Sequence, residues 1–396
     1  MRVLVYMGHP AHFHLYKNVI KGLKEDGNEV DVLIKKKENL EKLLQNSGIP
    51  YHNILPEGRK DSTIGMGLGA IKRMWRTFTF VLKQRPDILT GTSVENSYVG
   101  PLMRIPVIHC SEDDASAIPL QAKVCYPGAD EILNPICCDT GKWNSKATKY
   151  PSYHELAYLH PNHFTPDASI VEAYGIDTSK PYFILRFVSL SANHDKGIKG
   201  INTEVAQNLV DILSPHGQIY ITSERELEPQ FEPYRIRINP LDMHHVMAFA
   251  SLYIGDSQTM AAEAGVLGTP FVRFNDFVGR IGYLRELEDV YQLGYGIHAT
   301  PLTPDSPIRR ADGSTQPSGV EQLYETVKSL VAMPEVVEIR KSNVESPSVF
   351  HARREQMLRD KIDYAKFLTW FIENYPDSAK ETKTNQQNEA FWNQFK

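Results

Sequence analysis

Cysteine is scarce in this sequence. There are four, Cys110, Cys125, Cys137 and Cys138, and no two stand in a Cys-x-x-Cys spacing. Adjacent Cys137 and Cys138 are poorly placed for an ordinary disulfide with each other, so all four read as reduced thiols of a cytosolic protein. Long apolar runs are missing as well. No stretch reaches the ~18 residues that a membrane-crossing helix needs, and the apolar start meets Gly8 too soon for a secretory leader. Basic charge is not in excess. The formal net charge of −5 disfavours a general nucleic-acid binder, and no nucleic-acid partner is expected. A short repeat period is absent, which argues against a solenoid.

What is present is the composition of a globular protein, 41% hydrophobic and 23% charged, in a chain of 396 residues that is too long for one ordinary core. Apolar runs at 2–7, 30–34 and 51–55 read as strands, with helical spacing between them at 15–26 and 40–46. This β-α-β-α-β order predicts a doubly wound parallel sheet. The pattern starts afresh at Tyr182–Phe187 and continues with strands at 218–222, 235–238, 252–254 and 270–273. The expected fold class is α/β with two Rossmann-like domains, residues 1–165 and 166–352. Residues 353–376 read as a C-terminal helix crossing back to the first domain, and 377–396 as a polar, mobile tail in which Phe391, Trp392 and Phe395 could dock.

Two strand-to-helix switches carry the chemistry. The first is Met-Gly-His-Pro-Ala-His-Phe-His, Met7 to His14. The second runs from Gly255 to Pro270, where Asp256, Ser257, Gln258 and Thr259 lead into a helix and Glu263 follows one turn later. Each places backbone N–H groups and a helix dipole beside the carboxyl end of a sheet, a ready anion site. An ordinary strand-to-helix connection would look similar, because Ser and Thr are common at helix starts. His9, His12 and His14 invite a metal reading. Their spacings of three and two do not put three ligands on one helical face, and no Asp, Glu or Cys is interleaved, so no metal is expected.

The segment Asp256-Ser257…Glu263-Ala264…Gly268-Thr269-Pro270 resembles the donor site of the GT-B superfamily, two Rossmann-like domains facing across a cleft. It is most similar to the UDP-N-acetylglucosamine 2-epimerases and the glycosyltransferase that makes lipid II. Over roughly residues 1 to 375 the chain resembles a poorly characterised bacterial and archaeal family of GT-B-like proteins, with Gly8-His-Pro-Ala-His12 and Glu155-Leu-Ala-Tyr-Leu159 in that likeness. The resemblance implies a donor diphosphate held at Ser257, Gln258 and Thr259 and a ribose held by Glu263. Gln258-Thr259 stands where the epimerases usually have two glycines.

From the same resemblance, His12 takes the place of the general base of several inverting GT-B transferases, with His9 as second choice. Glu112 and Asp113 either orient His12 or bind acceptor hydroxyls, or they form a solvated acidic loop. Arg186, Asn193 and His194 read as diphosphate or sugar contacts, Ser223 as a base contact, and Arg273, Asn275 and Asp276 as readers of sugar hydroxyls. The epimerases carry an Asp near the equivalent of Gly91 that this chain lacks.

Residues 64–84 read either as a core-packing helix with a basic outer face or as a surface meeting anionic lipid and a lipid-linked acceptor; Gly65, Gly67 and Gly69 make its start a poor helix. The leading expectation is therefore a metal-independent, inverting glycosyltransferase using a UDP-linked donor and a glycan or lipid-linked acceptor, with no cofactor beyond that substrate. It would work in the cytoplasm, or peripherally at the inner membrane face. The alternatives are a UDP-N-acetylglucosamine 2-epimerase-like or hydrolysing enzyme, and a non-catalytic nucleotide-sugar binding protein.

Overall fold

A computed structural model describes residues 1–57, 63–188, 199–337 and 349–396. The chain divides into two compact units. The first joins Met1–His163 to Lys361–Lys396, and the second is Phe164–Asp360.

In the first unit, β1 (Arg2–Met7), β2 (Glu29–Ile34), β3 (His52–Asn53), β4 (Ile88–Gly91), β5 (Val107–Cys110), β6 (Glu131–Pro135) and β7 (Ala147–Tyr150) form one sheet. Its order is β3-β2-β1-β4-β5-β6-β7, and every neighbouring pair is parallel. A parallel sheet is covered on both faces, so its strands are apolar throughout rather than alternating. Val3 to Met7 are accordingly all buried. The Pro10–Glu25 helix lays Phe13, Tyr16, Val19, Ile20 and Leu23 inward at helical spacing.

The second unit holds β8 (Tyr182–Phe187), β9 (Gln218–Ser223), β10 (Leu252–Gly255), β11 (Phe271–Phe274) and β12 (Gly294–Ile297). They are again all parallel, in the order β12-β11-β10-β8-β9. Its core joins Phe183, Leu185 and Phe187 to Leu209, Ile254 and Val272. Chain order reverses once in each sheet, between β1 and β4 and between β8 and β10. Such a reversal sends the flanking helices to opposite faces and opens a crevice beyond the carboxyl ends of the two strands.

Several elements differ from the sequence expectation. Residues 353–376 are not one helix. The Val349–Asp360 helix closes the second unit, and a new helix, Tyr364–Glu373, belongs to the first. Asp363 makes the break, because its carboxylate accepts the Lys366 N–H at 3.1 Å as an N-cap and also meets His163 at 2.7 Å. The tail is not a loose polar segment. It forms the Asp377–Thr384 and Glu389–Asn393 helices, with Phe391, Trp392 and Phe395 buried about Phe367. Lys383 ties it to the buried Glu131 of β6 at 2.8 Å. The expected strand at 235–238 shrinks to a bridge between Ile221 and Arg235. The Thr63–Gln84 helix includes the three glycines expected to make its start a poor helix.

Candidate functional site

The reversal point of the first sheet lies at the Gly8 to His14 motif. Strand β1 ends at Met7, His9 caps the Pro10–Glu25 helix by accepting the Ala11 N–H at 3.2 Å, and His12 falls in the first turn. His12 Nδ1 accepts the Gly8 N–H at 3.1 Å. The neutral ring therefore carries its proton on Nε2, which lies 3.0 Å from Thr92 Oγ1, just beyond β4. The two strands on either side of the reversal thus each supply one partner of this contact.

Burial pushes the His12 pKa well below the usual imidazole value, and the cationic influence of His9, His154, Lys35 and Lys37 acts in the same direction. At neutral pH His12 is uncharged and able to accept a proton. Lys35 reaches over the same turn, its Cε 3.6 Å from where a Cβ on Gly8 would stand. His14 points the other way, with its ring against Phe13 and Tyr158. Among the described residues no three His, Cys, Asp or Glu side chains group as metal ligands.

Glu112, in the loop after β5, engages His154 rather than standing as a solvated acid. Its Oε2 accepts the His154 N–H at 3.0 Å, and Oε1 lies 3.5 Å from His154 Nδ1. Burial raises the Glu112 pKa well above the carboxylate range, and the charges of Glu155 and Asp113 raise it further. Asp113 is half-buried in the same loop. The His154 pKa is pushed down to about 3 by burial, with His109 adding to the effect. His109, 1% exposed, has no hydrogen-bond partner among the described residues at either ring nitrogen and packs edge-on against Tyr126. Sequence reasoning missed His154. It follows β7, a four-residue strand whose Ala-Thr-Lys-Tyr composition gives no clear strand signal.

The reversal point of the second sheet lies at the other motif. Asp256 follows β10 and is buried, but its carboxylate faces the backbone. It accepts the Val188 N–H at 2.8 Å and the Ile201 N–H at 3.3 Å, so it pins both ends of the connection leaving β8. Burial raises its pKa to about 6 against the pull of those two amides. Ser257 is the N-cap of the Gln258–Leu267 helix, its Oγ accepting the Met260 N–H at 3.4 Å. That leaves the first-turn N–H groups of Gln258 and Thr259 without intrahelical acceptors, at the positive end of a three-turn helix. Ser257→Ala is expected to cost about 1 kcal/mol of stability by urea denaturation, the usual value of a lost N-cap.

Glu263 lies on the second turn, buried, with Oε1 3.0 Å from His244 Nε2. His244 is a second residue that sequence reasoning missed. Arg186 sits at the end of β8 beside Gly255, where a Cβ would stand 2.5 Å from the Tyr253 hydroxyl and 3.0 Å from Arg186 Cβ. The guanidinium is paired with Glu224, so an incoming diphosphate would compete with that carboxylate. Ser223 is committed to its own turn, donating to the Arg225 carbonyl and accepting the Arg225 N–H. Asn193 and His194 lie outside the described residues.

Arg273 corrects another expectation. It is fully buried and bonds Glu288 through Nε at 3.0 Å, so it does not face sugar hydroxyls. Asn275 and Asp276 are likewise turned to the scaffold. Asn275 donates to the Asp256 carbonyl, and Asp276 accepts the Lys199 and Thr300 N–H groups.

Solved structures share this fold. A UDP-N-acetylglucosamine 2-epimerase from Rickettsia bellii aligns with a TM-score of 0.59 at 12% identity, covering 99% of each chain. The UDP-GlcNAc 2-epimerase from Neisseria meningitidis, solved with UDP-GlcNAc bound, aligns at 0.56 and 14% identity over 91% of this chain and 99% of that one. The spinosyn forosaminyltransferase SpnP aligns at 0.56 and 12% identity over 91% and 94%. These likenesses establish the two-domain α/β fold of GT-B proteins. No curated protein matches the sequence. A family model does match, over residues 1–277, and by that match the chain belongs to the family described as protein of unknown function (DUF354).

Proposed function

We propose that this protein is a metal-independent glycosyltransferase of GT-B type. It moves a sugar from a UDP-linked donor to a hydroxyl of a glycan or lipid-linked acceptor in glycan or polysaccharide synthesis, with inversion at the anomeric carbon. The observation that carries this reading is the coincidence at the two sheet reversals. One holds an uncharged imidazole, and the other holds a helix start whose first-turn amides lack intrahelical acceptors, with a neighbouring arginine. In this reading the Gln258 and Thr259 amides and Arg186 receive the charge that builds on the departing diphosphate, as fixed dipoles do for a developing anion. His12 takes the acceptor proton as the acceptor oxygen bonds to the anomeric carbon. To do so at Nε2 it must carry its resting proton on Nδ1 and give up the Gly8 contact. The loss is about 1 kcal/mol, which a bound acceptor hydroxyl at Nε2 offsets.

The test is a thermal-shift screen against UDP, GDP, CMP and TDP. UDP is expected to raise the melting temperature, because a ligand held only by the folded state at a hundred times its Kd stabilises by about 2.7 kcal/mol. A protein that none of the four stabilises does not fit the proposal.

One observation favours a second reading, an epimerase-like or hydrolysing enzyme. Glu112, with its raised pKa, lies against the imidazole of His154, a pairing suited to moving protons at a sugar carbon. Incubation with UDP-N-acetylglucosamine alone separates the two. The transferase leaves it unchanged, whereas an epimer or free sugar in the product supports the second reading.

A further inference from the structure

Among the described residues ten large apolar side chains are exposed, and six of the ten crowd onto two neighbouring helices of the first unit. Ile71, Trp75 and Leu82 lie on the Thr63–Gln84 helix, and Val94, Tyr98 and Leu102 on the Val94–Met103 helix. Both sets follow helical spacing, so each forms a stripe on one side. The adjoining faces are already used: Met74, Phe78, Val81, Val99 and Met103 pack against Leu4, Tyr6 and Leu89 of the sheet. An ion pair of 2.7 Å between Arg73 and Glu95 joins the two helices. Among the described residues the outer stripes serve no core, and apolar patches of this kind mark binding surfaces.

Free cations outnumber free carboxylates beside the stripes. Glu95 is held by Arg73, and Glu57 by Lys72 and Arg76. Asp87 accepts the Arg2 backbone N–H and keeps its charge, one carboxylate against three cations. Lys83, Arg85 and Arg104 are exposed, and among the described residues no carboxylate pairs with them. Self-association through a two-fold axis would turn this basic face against its own copy, which opposes a dimer. An anionic lipid surface suits both features, apolar side chains entering the acyl boundary and cations meeting phosphates.

We infer that this face docks the protein onto an anionic phospholipid bilayer. Val94 begins the apolar stripe two residues after Thr92, the hydroxyl partner of His12. The docked face therefore starts at the rim of the acceptor site, and a lipid-linked acceptor can present its head group there while its tail stays in the bilayer. That last step rests on the transferase reading; the docking itself does not.

The experiment is co-sedimentation of the full chain with vesicles of phosphatidylcholine, with and without phosphatidylglycerol, alongside light scattering and the UDP thermal shift. Binding is expected with phosphatidylglycerol, weak binding without it, and loss as salt is raised. Trp75→Glu/Leu102→Glu, at solvent-facing positions, should weaken binding at least tenfold with the melting temperature retained. Lys83→Gln/Arg104→Asn should weaken it roughly thirtyfold at low salt, from about 1 kcal/mol per basic residue near the surface. Wild-type protein that stays off the anionic vesicles overturns the inference, as does a Trp75→Glu/Leu102→Glu variant that binds like wild type. A wild-type dimer that this variant converts to monomer, without vesicle binding, assigns the face to self-association instead. Lost vesicle binding with an intact UDP shift rejects the face alone, and vesicle binding without any nucleotide shift rejects the transferase reading alone.

Discussion

His12→Ala is expected to lower turnover by two to four orders of magnitude, the usual worth of a positioned general base, while the UDP thermal shift stays within a degree of wild type. The split follows from position. His12 belongs to the first sheet's reversal, and the open helix amides belong to the second sheet. Removing the ring also frees the Gly8 N–H and the Thr92 hydroxyl, both at the edge of the site, so the fold should lose about 1–2 kcal/mol at most. The pH profile supplies a second check. Because the His12 pKa lies well below the imidazole norm, the ring stays an uncharged base at every pH above that lowered value. kcat/KM should hold level from pH 8 through 6.5 and fall only on further acidification. A profile that halves near 6.5 would mean that the essential base is an exposed imidazole elsewhere. Equal turnover in His12→Ala and wild type would remove His12 from the chemistry.

Much of the fold was legible because parallel strands and their helices leave plain signals. The run Val3-Leu4-Val5-Tyr6-Met7 and the run Tyr182 to Phe187 can only be buried strands, and each ends where a motif begins. Strands β6, β7 and β12 were not legible. Glu131-Ile-Leu-Asn-Pro and Gly294-Tyr-Gly-Ile carry charge, proline or glycine that local preference assigns to turns, and only their neighbours in the sheet make them strands. The tail misled for a related reason. Its composition is polar, but three aromatic residues near its end find Phe367 and Trp370, a contact between helices that no local pattern encodes. At the site, sequence located both motifs and could not say which way polar side chains face. Asp256, Asn275 and Asp276 all sit at strand ends, as expected, and all three turn to backbone groups. Nor could it find the partners: Glu112 with His154, and Glu263 with His244, are joined across 42 and 19 residues of chain.

Arg273 gives the largest expected stability effect. Its guanidinium has no exposure to water and lies against a carboxylate that is itself buried, with Nη2 2.9 Å and Nε 3.0 Å from Glu288 Oε1. The chain makes space for this pair. A Cβ at Gly296 would stand 2.5 Å from Glu288 Oε2, so glycine is required at that point of β12. Arg273→Met, which fills a similar volume without the charge, is expected to cost about 3–5 kcal/mol, because Glu288 is left buried and alone. Most of that cost is an unpaired charge rather than a lost attraction. Arg273→Met/Glu288→Leu should therefore recover the greater part of it, a result that simple loss of packing would not give.

The pH dependence has a definite sign. Burial already holds the Glu288 pKa above 4.5, with Arg273 pulling it back down. Without Arg273 the carboxyl moves further up and folds only by keeping a proton. The unfolded chain releases that proton near 4.5 and both folded forms hold it longer, so the deficit of the single variant grows as pH rises from the wild-type folded value towards the variant's higher one, by about 1.4 kcal/mol per unit. Urea midpoints of wild type and Arg273→Met should lie closest near pH 5 and furthest apart at pH 8. Parallel curves across that range would show that Arg273 acts through its volume and not through its charge on Glu288.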